Sequence, residues 1–231
     1  MGCVRKVLIL TVLMLLLMVG ASTGSLPLAG GVAGPVGAQA VQGASWQIVA
    51  GPEGLSEPIS VATDQQGSLY VGDRGNPEFA TGTGRVQKFS ASGELVGSWI
   101  HESDGFGLGD PNGLALDAQG NVWVADYHNG YDAIQEYDPS GRALQNIQQP
   151  ATGIAIDRTG NIYVTDFYCT CLVKLAPNGT VVWSVGSRGT GPGQFANLQY
   201  PIGIAINAAG VIYVADPESN RIEEFSPLGS F

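Results

Sequence analysis

Four copies of one short pattern, at 58–73, 111–126, 150–166 and 201–216, restrict the possible folds of this chain more than any other feature. Each copy begins at a proline (Pro58, Pro111, Pro150, Pro201) and runs through a short apolar stretch to Asp64, Asp117, Asp157 or Asn207. It turns at Gly67, Gly120, Gly160 or Gly210 and ends on Asp73, Asp126, Asp166 or Asp216. A pattern copied at this spacing means one supersecondary unit repeated and stacked, because a single unit cannot bury its own apolar face.

Local signals divide each unit into strands. The stretch after the proline, Gly113-Leu114-Ala115-Leu116 in the second copy, suits a strand buried on both faces. The Asp-x-x-Gly that follows is a polar turn, with glycine supplying positive φ and aspartate bonding the turn backbone. Val122-Trp123-Val124 and its counterparts are rich in β-branched and aromatic residues. A third strand, alternating apolar and polar, is predicted at 86–89, 134–137, 172–175 and 222–225. After a second glycine turn, a fourth strand is predicted at 94–100, 142–147 and 180–185. The expected fold class is all-β: a β-propeller of four-stranded antiparallel blades, about four of them, near 57–100, 110–148, 149–186 and 200–227. The last unit lacks an outer strand, and the N-terminal segment 45–50 is expected to supply it and close the ring. An open arc that pairs with a second copy as a homodimer, and a piece of a larger propeller, are the alternatives.

The units resemble NHL repeats. The resemblance is carried by Gly153-Ile154-Ala155-Ile156-Asp157, the Gly160-Asn161 turn, Tyr213-Val214-Ala215-Asp216 and the strand start Asn220-Arg221-Ile222. The connector 186–195 is similar to the usual approach to an NHL blade. The resemblance implies a propeller over 41–231; the family commonly closes with six blades, and this chain encodes four.

Residues 1–40 read differently. Arg5 and Lys6 precede an apolar run at 7–19 that only Thr11 interrupts, and a small-residue tract follows. This is a secretory signal pattern with a disordered linker behind it; cleavage is expected after Ala21 or Ala40. The run is shorter than the ~20 residues of a membrane span, and an uncleaved N-terminal anchor is the alternative. The protein is therefore expected to be secreted or in the cell envelope. The formal net charge is −10, and loss of Arg5 and Lys6 takes the basic residues from 10 to 8 against 20 acidic ones. Such a surface repels nucleic acid and anionic lipid. Cys3 precedes the apolar run; Cys169 and Cys171 are spaced for a local disulfide, and two thiolates alone are too few for a zinc site.

In a four-stranded antiparallel blade the first and third turns share one rim, and the second loops and inter-blade connectors share the other. All turns of the first rim are short. The second rim varies, from 73–86 and 126–134 to 166–172 and 216–222, and it collects more than half of the 20 acidic residues. Irregular loops on a rigid scaffold are where binding resides. The candidate ligand-binding residues are Asp73, Arg74, Asp126, Tyr127, His128, Tyr131, Asp132, Asp166, Phe167, Tyr168 and Asp216. The expected partner is a protein, peptide or carbohydrate. The four repeated aspartates also have a plain structural reading, as acceptors for loop amides. The resemblance brings in propeller enzymes too. A zinc site is conceivable from His101 and His128 with Asp126 or Asp132, and a calcium site from Asp73, Asp126, Asp166 and Asn129; no spacing demands either. The glycine-rich stretch 186–193 lacks the Lys-Ser/Thr of a phosphate loop and reads as a flexible connector. An exported binding scaffold is the favoured expectation, with a metal-dependent lyase or hydrolase in the central pocket as the alternative.

Overall fold

The structure, a computed structural model, describes residues 55–75, 84–99, 108–127, 132–198 and 202–231. The chain divides into two compact units, Met1–Trp46 and Gln47–Phe231, and every described residue belongs to the second. The signal-like segment and the closing strand expected at 45–50 lie outside the described residues. So do His101, His128, Asn129 and Tyr131.

The first sheet holds β1 (Pro58–Thr63), β2 (Leu69–Asp73), β3 (Arg85–Phe89) and β4 (Leu95–Trp99). The second holds β5 (Asp110–Leu116), β6 (Val122–Tyr127), β7 (Ala133–Tyr137) and β8 (Ala143–Ile147). The third holds β9 (Gly153–Ile156), β10 (Ile162–Asp166), β11 (Cys171–Leu175) and β12 (Val181–Val185). The fourth has three strands among the described residues: β13 (Ile204–Ile206), β14 (Ile212–Asp216) and β15 (Arg221–Phe225). Every pairing is antiparallel between strands consecutive in sequence. The innermost strands β1, β5, β9 and β13 neighbour one another in that order. This is a four-bladed β-propeller. No helix among the described residues is long and apolar enough to cross a membrane.

The turns form as their residues dictate. Asp117 Oδ1 accepts the backbone N–H groups of Gln119 and Asn121, each at 2.9 Å, and the Gly120 N–H closes on the Asp117 carbonyl. Asp64, Asp157 and Asn207 repeat this arrangement.

Among the described residues the core is not one mass but three layers, each shared by two blades. Along β6, Val122 and Val124 face blade one, while Trp123 and Ala125 face blade three. Period-two alternation thus sends successive side chains to opposite neighbours. Tyr70, Val86 and Trp99 meet Leu114 and Tyr137 at the first seam. Ile134 meets Ile154, Ile162 and Val164 at the second, and Leu172 meets Ile212, Val214 and Phe225 at the third. Each large aliphatic side chain so buried stabilises by about 1.5–3 kcal/mol. Val61 and Ile222, the counterparts of Leu114 and Leu172 on the outward faces of blades one and four, are 65% and 64% exposed.

The connector 186–195 departs from the flexible reading. Gly189 and Phe195 exchange backbone bonds with their own loop, and Phe195 is fully buried. Arg221 donates from Nη1 to the Thr190 carbonyl (2.7 Å) and from Nη2 to those of Gly191 (2.7 Å) and Gln194 (2.8 Å). One guanidinium, with its rigid fork of donors, fixes the whole segment.

Candidate functional site

The four aspartates that end the second strands are all buried, at 0%, 1%, 7% and 0% exposure for Asp73, Asp126, Asp166 and Asp216. A buried carboxylate must find donors. Three of the four find them in the segment that approaches their own blade. Asp73 accepts from the amides of Ser56 and Glu57, Asp126 from Gly109, and Asp216 from Ala196. Asp166 instead accepts from the amides of Tyr168 and Cys169 in the loop that follows it, and from Gln149 Nε2 at 2.8 Å.

What differs is the residue directly across the sheet. Asp73 pairs with Arg85, Asp126 with Ala133, Asp166 with Cys171 and Asp216 with Arg221. Arg85 donates from Nε and Nη2 to Asp73 Oδ2 at 3.0 and 2.7 Å. Burial opposes ionisation of Asp73, but the Glu57 amide, Arg85 and the further amides outweigh it and hold the carboxyl below its ordinary value. Asp126 has Gln135 Nε2 at 3.3 Å in place of a cation. Burial pushes its carboxyl up to about 7, and the carboxylates of Asp110 and Asp132 add to that against the Gly109 amide. Tyr137 in turn donates its hydroxyl to Gln135 Oε1.

Arg74 is engaged between blades one and two. It donates to Asn112 Oδ1 at 3.1 Å and lies 3.3 Å from Asp110 and 3.7 Å from Glu57.

The structure brings five of the expected residues together at the seam of blades two and three. The Tyr127 and Phe167 rings meet edge to face at 5.2 Å, and Phe167 lies against Tyr168 at 4.1 Å. Tyr168 is 66% exposed, and its hydroxyl bonds the Asp132 carboxylate, which raises the phenol above its ordinary value. Asp166 lies beneath, with one carboxylate oxygen and the sulfurs of Cys169 and Cys171 all within 4.8 Å of one another. The two sulfurs are bonded to each other as a disulfide and are not free ligands. Asp73 and Asp216 belong to other blades and stay with their arginines. A groove of about 330 Å³ runs between the turns at 157–159 and 207–210, on the short-turn rim and away from all these groups.

Sequence reasoning missed Arg85, Arg221, Asn112 and Gln135. A signal existed for the first two: each opens a third strand and so stands opposite the strand-ending aspartate of its repeat.

Residues 198–225 match the NHL repeat, and residues 98–155 match the SMP-30/Gluconolactonase/LRE-like region. NHL repeat-containing protein 3 of Homo sapiens is 24% identical over 188 residues, covering 71% of this chain and 50% of its own length. Its Mus musculus counterpart is 27% identical over the same extent. The chain carries an NHL repeat at 198–225. It spans about half the length of the curated relatives it matches. Among solved structures, virginiamycin B lyase from Staphylococcus aureus superposes with a TM-score of 0.54 at 11% identity, covering 77% of this chain and 55% of that one. At that identity the likeness speaks for the propeller fold alone. The NHL-repeat assignment accounts for Asn220-Arg221-Ile222: Arg221 is the side chain that fastens blade four to its approach segment.

Proposed function

We propose that this NHL-repeat propeller is an exported binding scaffold. Its long-loop rim takes a basic segment of a partner protein at the seam of blades two and three. The observation that carries this reading is the aromatic row Tyr127–Phe167–Tyr168, with its outermost ring exposed beside Asp132. An exposed tyrosine next to a carboxylate suits lysine and arginine, through the ring face and the charge together. The net charge of −10 steers cationic partners toward the protein. Export is supported by the signal-like segment and by a disulfide, which persists in oxidising compartments. The rival reading, a metal-dependent lyase or hydrolase, needs carboxylates free to converge on an ion, and Asp73 and Asp216 are committed to arginines.

Fluorescence anisotropy with a labelled Lys/Arg-rich peptide tests this, against a charge-reversed peptide and a neutral oligosaccharide. The basic peptide should bind with strong salt dependence, and Tyr168→Ala and Asp132→Asn should each weaken it about tenfold. Equal affinity for the basic and the acidic peptide would sink the proposal.

A further inference from the structure

We infer that the Cys169–Cys171 bridge is a thiol–disulfide exchange site that oxidises dithiol peptides at the long-loop rim. The bridge spans a single residue, with Cα atoms 5.2 Å apart. A staple this short removes little entropy from the unfolded chain, and the β10–β11 ladder already fixes Cys171 opposite Asp166. A purely structural role therefore has little to stabilise.

Two features favour exchange. Cys169 is exposed whereas Cys171 is 2% exposed, so an incoming thiolate reaches only one sulfur. Ser184 donates its hydroxyl to the Cys171 sulfur at 3.1 Å. Asp166, within 4.8 Å of both sulfurs, disfavours charge on either, and Ser184 offsets this at Cys171 alone. Attack at Cys169 therefore expels the sulfur that is prepared to leave.

In the first step a substrate thiolate attacks Cys169 Sγ. A substrate–Cys169 disulfide forms, the Cys169–Cys171 bond breaks, and the electron pair goes to Cys171 as thiolate. In the second step the other substrate thiolate attacks its own sulfur in that mixed disulfide. The substrate disulfide forms, and Cys169 leaves as thiolate. The substrate loses two electrons, the protein gains two, and the two protons of the substrate thiols end on the two cysteines. Glutathione disulfide, as oxidant, restores the bridge. The exposed Tyr168 ring beside Cys169 offers a peptide a place to rest.

The test is equilibration of the full chain in glutathione buffers spanning cytosolic to secretory redox poise, with alkylation trapping and mass measurement. The bridge should open within that span. Ser184→Ala should slow the first step severalfold. With glutathione disulfide present, the chain should oxidise a Lys-flanked dithiol peptide, and Cys169→Ser should abolish this. A bridge intact across the whole span, or peptide oxidation that survives Cys169→Ser, overturns the inference. Glutathione needs no docking on the rim, so this outcome is independent of whether the rim binds a basic segment.

Discussion

Asp126 stands directly across the β6–β7 pair from Ala133, at the register position where Asp73 meets Arg85 and Asp216 meets Arg221. The same repeated carboxylate is thus neutralised by a guanidinium in two blades and left without a cation opposite it in this one.

That difference sets a pH dependence. Asp126 titrates near 7 in the fold against 3.8 in the open chain, so the folded protein keeps a proton that the unfolded one has lost. Its contribution to stability is fully present below pH 3.8 and declines until pH 7. Asp126→Asn should flatten this decline, by on the order of 1 kcal/mol per pH unit. Urea melts at several pH values check it; equal slopes in the two proteins would exclude the effect.

Arg221→Ala removes the partner of buried Asp216 and the donor to three carbonyls of the connector. Leaving a buried charge uncompensated costs about 3–5 kcal/mol. Denaturant unfolding should show that loss. Amide exchange should quicken over 188–195 before it quickens in β10.

Gly141→Ala meets two obstacles at once. The residue has φ +90°, and a Cβ there would fall 2.2 Å from the Trp99 ring of the preceding blade. Trp99 is wedged between Tyr70 and Tyr137, with centroids 5.9 and 6.3 Å away, and cannot retreat. We expect a loss of about 2–4 kcal/mol by thermal or urea unfolding, along with altered Trp99 fluorescence.

Asp157→Ala strips the first turn of blade three of its acceptor. Asp157 takes the amides of Thr159 and Asn161, and the Tyr163 hydroxyl at 3.1 Å. Burial opposes the charge, yet the Asn161 and Thr159 bonds bring the carboxyl below 3.8. Its stabilisation is therefore present above pH 3.8 and is lost as the solution becomes more acidic. The variant should lose about 1–2 kcal/mol at neutral pH and converge with the parent in acid, which a pH series of melts will show.

The strands were legible because each carries its own local signal. The Asp-x-x-Gly turn needs only neighbouring residues, and Val122-Trp123-Val124 announces a doubly buried strand by composition. The loop lengths separated the two rims for the same local reason. Blade seams were not legible, since Gly141 looks like any turn glycine until Trp99 is found against it. The connector misled because glycine content suggests freedom, while its restraint comes from Arg221, some thirty positions later. The Tyr127–Phe167 contact joins two repeats, and no pattern within one repeat could predict it.

Because each apolar layer lies between two sheets, no blade has an interior of its own. Removing an end blade uncovers one partner, and removing a middle blade uncovers two. Loss of order should therefore begin at the ends and travel inward, and the amides of β6 and β10 should be the last to yield their protons to solvent.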